Sequence, residues 1–151
     1  MGATSAGHAS IGNNSSGLLN GRFQFVNLPQ KCLALGPYFA VVQASGELFD
    51  HIWSGGAMWT GNGTRVWRGR VLLKPVFASA PLVQLGVTGI DSAHEQNLRF
   101  HVTAENVTEA SFDIVVTTWS DTRIGRMHLG WTCMGRMKSE PSDPEASGRK
   151  G

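Results

Sequence analysis

Charge is scarce in this sequence. Only 16% of the 151 residues are Asp, Glu, Lys or Arg, and 13 basic against 11 acidic side chains leave a formal net charge of +2. A field that weak gives no ground for nucleic acid as a partner and suits a neutral ligand. The basic run Arg65, Arg68 and Arg70 is accordingly read as a solvated strand face. Cysteine is nearly absent. Cys32 and Cys133 stand far apart, with no CxxC or Cys/His spacing, so no zinc or redox site is expected and two separate thiols are preferred to one disulfide. No long apolar run exists either: Cys32 to Val42 is broken by Gly36 and Pro37 and is too short to span a bilayer, so no membrane span is expected. The opening MGATSAGHAS lacks a basic segment followed by an apolar one, and no standard secretory signal is visible. Without a second periodic block, the length fits one sizeable domain.

What is abundant is glycine, 19 residues, with five Trp and seven Phe, a composition of short strands and tight turns. The clearest alternation lies between Leu98 and Trp119. Leu98, Phe100, Val102 and Ala104 share one side of a first arm, and Arg99, His101 and Thr103 share the other. In the second arm Phe112, Ile114 and Val116 alternate with Asp113, Val115 and Thr117, which puts Trp119 on the polar side. Glu105 to Ser111 is polar and reads as the turn that makes the two arms a hairpin.

Elsewhere, residues 1 to about 20 carry too few apolar anchors to offset backbone ordering and are expected to be disordered. Arg22 to Val26 and Cys32 to Val42 are either an added strand pair or an extended linker, interrupted by Pro29 and Pro37. The glycines around Met58 and Trp59 predict a compact loop presenting that pair. Trp67, Gly69, Val71 and Leu73 share one face of a strand, with Arg68 and Arg70 on the other; Val83, Leu85 and Val87 continue a core pattern. A final strand near Arg123 to Met134 alternates Met127, Leu129, Trp131 and Cys133 with Arg126, His128 and Thr132. KSEPSDPEASGRKG is a polar tail. Antiparallel strands with no long amphipathic helix predict an all-β sandwich, with a small barrel as the alternative. The domain boundaries are 1–41 for an extension, 42–136 for the sandwich and 137–151 for a disordered tail.

Several separated motifs, in order, carry a resemblance. Val42, Gln43, Ser45 and Gly46 are similar to a VQSG opening with one residue inserted, and Gln96-Asn97-Leu98-Arg99 matches a QNLR segment. Phe112 falls where a Gly-Phe strand begins, Trp119 to Arg123 (WSDTR) resembles a TWxxT turn, and Gly130-Trp131 lies in a closing strand. Together residues 42–136 resemble the H-type lectin domain. That resemblance implies a six-stranded antiparallel β-sandwich and a homotrimer or dimer of trimers. It further implies binding of galactose or N-acetylgalactosamine type sugars in clefts between subunits, and an extracellular or cell-surface role such as adhesion. Arg99 corresponds to the arginine that hydrogen-bonds sugar hydroxyls, and Trp119 to the aromatic that packs on the sugar ring, roles that a rigid donor fork and a broad apolar ring suit. The histidine that follows the tryptophan in animal members is Ser120 here, which reaches less far, so strict N-acetylgalactosamine preference does not carry over. Asp121 is expected to accept from sugar hydroxyls or to orient Arg99 or Arg123. Asn62, in TGNGTR, is the nearest polar candidate for the early-loop contact that family members make across the subunit boundary. Their intrachain cysteine pair is absent, the corresponding regions holding Ala78 or Ser79 and Val116.

Against these stand plainer readings. Trp119 could pack on a neighbour, Arg99 could be an exposed strand arginine, Ser120 and Asp121 could cap a turn, and Asn62 could serve turn geometry. Trp59, Trp67 and Trp131 are assigned to core or interface. His101 and His128 are candidates for lining a trimer axis, and His51, near Asp50 and Glu47, is placed on an exposed loop. Ser120, Asp121 and His128 include triad residue types without a nucleophile-elbow motif, so no catalytic residue is assigned, and neither a metal nor a cofactor is implied. Sequons occur at Asn13, Asn14, Asn62 and Asn106. The two surviving functions are multivalent carbohydrate binding and a structural oligomerisation or attachment module with a degenerate sugar site.

Overall fold

The computed structural model describes residues 23–139; the expected disorder of residues 1 to about 20 and most of the 137–151 tail lie outside them. The chain forms β1 (Gln24–Phe25), β2 (Lys31–Leu35), β3 (Phe39–Asp50), α1 (His51–Ser54), α2 (Ala57–Thr60), β4 (Arg65–Leu72), β5 (Leu82–Ser92), β6 (Phe100–Glu105), β7 (Ser111–Thr118) and β8 (Ile124–Arg136). Two four-stranded sheets, β1-β4-β7-β6 and β2-β3-β8-β5, pack face to face as a β-sandwich. The strand count is eight where six were expected, and β1 runs parallel to β4. Both additions come from the segment between Phe23 and Leu35. Val26, 8% exposed, tucks into the core, and Gln30 crosses to β4, donating to the Leu72 carbonyl at 2.6 Å and accepting from the Lys74 amide at 2.9 Å. The prolines at 29 and 37 fall outside both strands, where they interrupt no ladder.

The core follows the period-two pattern. From β8, Met127, Leu129, Trp131 and Cys133 point inward, each at most 2% exposed, and meet Phe112, Ile114 and Val116 of β7, all fully buried. Phe112 meets Trp131 edge-on at 5.4 Å and Phe49 of β3 meets Trp67 of β4 at 5.3 Å, so aromatic pairs clamp the sheets together in two places. Gly69 makes room for this, since a Cβ there would strike the Trp67 ring and Val26. Trp67 and Trp131 are core residues, while Trp59 is half-buried.

Burial departs from the alternation where other constraints prevail. Val87 keeps the phase of Val83 and Leu85, opposite Leu129, yet is 39% exposed because β5 is an edge strand and the register shifts immediately beyond it, between Val87 and Gly89. Asp113 is on the outward side of β7 yet fully buried, because Arg70 lies over it in a two-pronged pair at 2.7 and 3.1 Å and the Asn106 amide donates to it at 2.9 Å. Burial raises the Asp113 pKa, but these hydrogen bonds and the nearby positive charge outweigh it and hold the carboxyl below its ordinary value. Val115, its neighbour on that face, is 3% exposed; Arg68 on β4 pairs with Glu105 on β6 at 2.9 Å, across the central strand that carries it. The basic run is therefore not one solvated face: Arg68 and Arg70 are paired and Arg65 is buried.

Cys32 and Cys133 are both free thiols. In register each faces Val42 from opposite sides. Two strand spacings, about 9–10 Å, therefore separate them, beyond disulfide reach. Burial pushes the Cys133 thiol up to about 12, whereas Cys32 is exposed. Native protein is expected to react with one equivalent of an aromatic disulfide reagent at neutral pH and with a second only after denaturation; rapid native labelling of Cys133 would contradict the packing.

Candidate functional site

The β6–β7 pairing sets Phe100 opposite Thr118, which brings Arg99 and Trp119, each one step beyond the ladder, to the same end of the hairpin. Three hydroxyl bonds hold that end. Thr118 Oγ1 donates to the Arg99 carbonyl at 2.6 Å, Thr122 Oγ1 donates to the Asn97 carbonyl at 2.6 Å, and the Arg99 amide donates to Thr122 Oγ1 at 3.1 Å. Thr118 and Thr122 are themselves buried, so they act as staples between residues 97–99 and the turn at 119–122.

Within that turn Ser120 takes φ +61°, a left-handed conformation that costs a serine roughly 1 kcal/mol. Its carbonyl accepts from the Gly63 amide at 2.9 Å and from Arg65 Nη2 at 3.2 Å. Arg65 is the larger anchor. Only 8% exposed, it donates through Nε to the Gly63 carbonyl at 2.9 Å, through Nη1 to that of Gly61 at 3.0 Å, and through Nη2 to that of Thr122 at 2.7 Å. Longer contacts at 3.4 Å reach Ala57 and Met58. Burial, and secondarily the like charge of Arg123, lower its pKa. Among the described residues no carboxylate pairs with it, so carbonyl dipoles alone solvate its charge.

This anchoring brings all five sugar-site candidates to one end of the β4-β7-β6 edge. Arg99 Nη1 donates to Asp121 Oδ1 at 2.7 Å, and the two side chains are 32% and 57% exposed. Of the two arginines considered for Asp121, it is Arg99 that it meets. Trp119 is 38% exposed with its ring 5.8 Å from that of His101. Asn62 is exposed and adjoins Gly63, whose amide bonds the Ser120 carbonyl of the same chain. An exposed ion pair of this kind contributes about 0–1 kcal/mol, so sugar hydroxyls can take over its hydrogen bonds at little cost. The remaining guanidinium donors, the free carboxylate oxygen and the indole face together offer donor, acceptor and apolar surface within one small area.

The histidines depart from expectation. His51 is 2% exposed rather than on an open loop: its ring packs 4.6 Å from Phe49 and its Nδ1 accepts from the Met58 amide at 3.1 Å. Gly56 permits this, as any Cβ would strike the imidazole. Met58 and Trp59 sit on the short helix α2 rather than on the expected compact loop, with Met58 1% exposed. Glu47 meets His128 at 3.5 Å and Asp50 meets Arg126 at 3.0 Å, so neither joins His51 in a cluster. Nor can His101 and His128 line one axis, because they face outward from opposite sheets. Ser120 and Asp121 lie in the turn between β7 and β8, whereas His128, within β8, meets Glu47 of β3. Among the described residues no group of three or more His, Cys, Asp or Glu is placed to hold a metal, and no helix is long and apolar enough to cross a membrane.

Sequence reasoning passed over Arg65, Thr118 and Thr122 as supports of the site and His101 as its neighbour. For His101 the signal was present, since it shares a face with Arg99; for Arg65 only the surrounding glycines hinted that its fork would be enclosed by carbonyls.

Residues 69–134 match the H-type lectin domain. The chain is 40% identical over 108 residues to ATP synthase subunits region ORF 7 of Fuscovulum blasticum, which covers 72% of this chain and 94% of that protein. Two structures of discoidin II from Dictyostelium discoideum superpose with a TM-score of 0.57 at 20% identity, over 69% and 68% of this chain and 40% of theirs. The chain thus spans well under half of discoidin II, and at that identity the likeness concerns the fold. This chain belongs to the H-type lectin domain family, and is in general terms a carbohydrate-binding lectin.

Replacing Arg65 with methionine would leave several buried carbonyls without donors, and a loss on the order of 3 kcal/mol is expected in urea unfolding. An unchanged midpoint would show that water replaces the guanidinium. His51, whose pKa burial holds below 6.5 against the opposing pull of Asp50, generates a pH dependence. As pH falls through 6.5 the unfolded chain takes up a proton before the native one does, so stability conferred by neutral His51 is full above that pH and is lost on acidification. His51→Asn keeps an acceptor for the Met58 amide, and the unfolding midpoint of this variant should fall less than wild type between neutral and mildly acidic pH.

Proposed function

We propose that this protein binds galactose or N-acetylgalactosamine type sugars, multivalently, in clefts between the subunits of a homotrimer or dimer of trimers. The observation that carries the reading is the Arg99–Asp121 pair, joined at 2.7 Å, standing beside the partly exposed Trp119 ring. Arg99 and Asp121 bond sugar hydroxyls, Trp119 packs on the apolar face of the pyranose, and Ser120 and Asn62 border the cleft. Such a shallow site binds weakly alone, and several held on one assembly raise avidity. His101, against Trp119, is the imidazole nearest the sugar and supports the ring's orientation.

A second reading has its own support. Asp121 already occupies one donor of Arg99 and Ser120 is short, which fits an attachment or oligomerisation module whose sugar site is degenerate.

A glycan array followed by sugar titration monitored by Trp fluorescence distinguishes the two. Binding of galactose-type sugars is expected, with Trp119→Ala and Arg99→Ala each weakening it by about tenfold or more, equivalent to about 1.4 kcal/mol. His101→Ala should weaken it less. Absence of any binding by folded, assembled protein would favour the attachment module.

A further inference from the structure

We propose that the sugar taken by the Arg99–Trp119 site is acidic, a galactose-type pyranose bearing a carboxylate or a sulfate ester, and that Arg123 receives its negative group. The inference deepens the sugar-binding reading and rests on it. Net charge over the chain is only +2, yet its distribution is uneven. Arg65 opens β4, and Arg99 and Arg123 stand one residue before β6 and β8. Thr122 ties the three together. Its carbonyl accepts from Arg65 Nη2 at 2.7 Å, its hydroxyl accepts from the Arg99 amide at 3.1 Å, and Arg123 follows it in the chain.

Negative charge does not match this gathering. Among the described residues Asp121 is the one carboxylate joined to any of the three, and it is committed to Arg99 at 2.7 Å. Asp50 and Asp91 lie opposite Arg126 on the other sheet, and Glu95, 76% exposed, meets His94. His101, beside Trp119, adds no negative charge. Three guanidiniums therefore face one carboxylate. Arg65 keeps its share of the excess, because carbonyl dipoles solvate a buried charge without cancelling it, and its field extends to the surface. Burial first, and the like charge of Arg123 second, lower the Arg65 pKa, which puts the two guanidiniums within Coulombic reach of each other.

Arg65 is spent on main-chain oxygens and Arg99 on Asp121. Arg123 has no such commitment: it is exposed, and among the described residues no carboxylate pairs with it. Its planar fork matches the paired oxygens of a carboxylate or sulfate. The turn after β7 thus displays, in chain order, an aromatic face for the sugar ring, Asp121 with Arg99 for hydroxyls, and Arg123 for an anion. A neutral sugar leaves the positive excess in place. An acidic one removes it and adds a charge-assisted hydrogen bond, the stronger kind.

The test is calorimetric titration of the full chain with methyl galactoside, galacturonate and galactose sulfate at low and high salt. At least one acidic sugar should bind about tenfold tighter than the neutral one at low salt, with the margin narrowing as salt rises. A margin for galacturonate alone assigns a carboxylate, and one for the sulfate alone assigns the ester. Arg123→Gln should remove most of the margin. Asp121→Asn, which takes away the carboxylate facing the incoming anion, should widen it, and both variants should keep the wild-type circular dichroism. Damage to the fold would not move one ratio in opposite directions. Binding of methyl galactoside with no margin overturns the proposal while the sugar reading stands, as does a margin that survives R123Q or shrinks in D121N. No binding of any of the three sugars overturns both.

Discussion

A single guanidinium, that of Arg65, decides the shape of the candidate site. Its fork is enclosed by the carbonyls of residues 61 and 63 on one side and 120 and 122 on the other, so one side chain ties the segment after α2 to the turn after β7. Neither segment has a ladder to hold it there. The left-handed Ser120 and the glycine-rich loop are individually poor conformations, and the hydrogen bonds among them are what make the combination stable. Because no carboxylate among the described residues balances Arg65, its charge is spread over backbone dipoles that the enclosing loops present inward.

Around that anchor the sandwich divides its labour. The inner faces are closed by Trp67, Trp131 and the aromatic partners they meet across the sheets. The outer face of one sheet is covered by its own ion pairs, with the sugar-site candidates at its end. The outer face of the other carries exposed apolar side chains between Arg136, opposite Phe39 near the β2–β3 turn, and β3's far end, where Asp50 meets Arg126. The two outer faces of one domain thereby differ in chemistry without a second layer of structure.

Much of this was legible in the residues. The alternation in β6, β7 and β8 gave the inward faces correctly, and with them the adjacency of Arg99 and Trp119, since pairing two arms of a hairpin leaves little freedom at its open end. The family motifs located the turn and the closing strand. What escaped was everything that depends on partners distant in sequence. A two-residue parallel strand such as β1 has no period to detect, and its existence rests on Val26 entering the core and Gln30 bridging to β4. His51 read as polar and therefore exposed, because nothing nearby announced that Phe49 and the bare backbone of Gly56 would enclose it. Val87 keeps its alternation but sits on the edge strand β5, where pairing on one side alone leaves it partly exposed. Arg65 looked like any strand arginine, since a guanidinium solvated by carbonyls leaves no trace in side-chain patterning.

The anchoring of the site by backbone alone bears on how its specificity can change. Arg65 reads only main-chain oxygens, so apart from Gly61, where a Cβ would strike its own Cδ, its bonds make no demand on the chemistry of the side chains around it. The exposed side chains at 62, 120 and 121 are thereby uncoupled from the scaffold that presents them. Side chains at the rim can therefore change in chemistry while the loops that carry them keep their places.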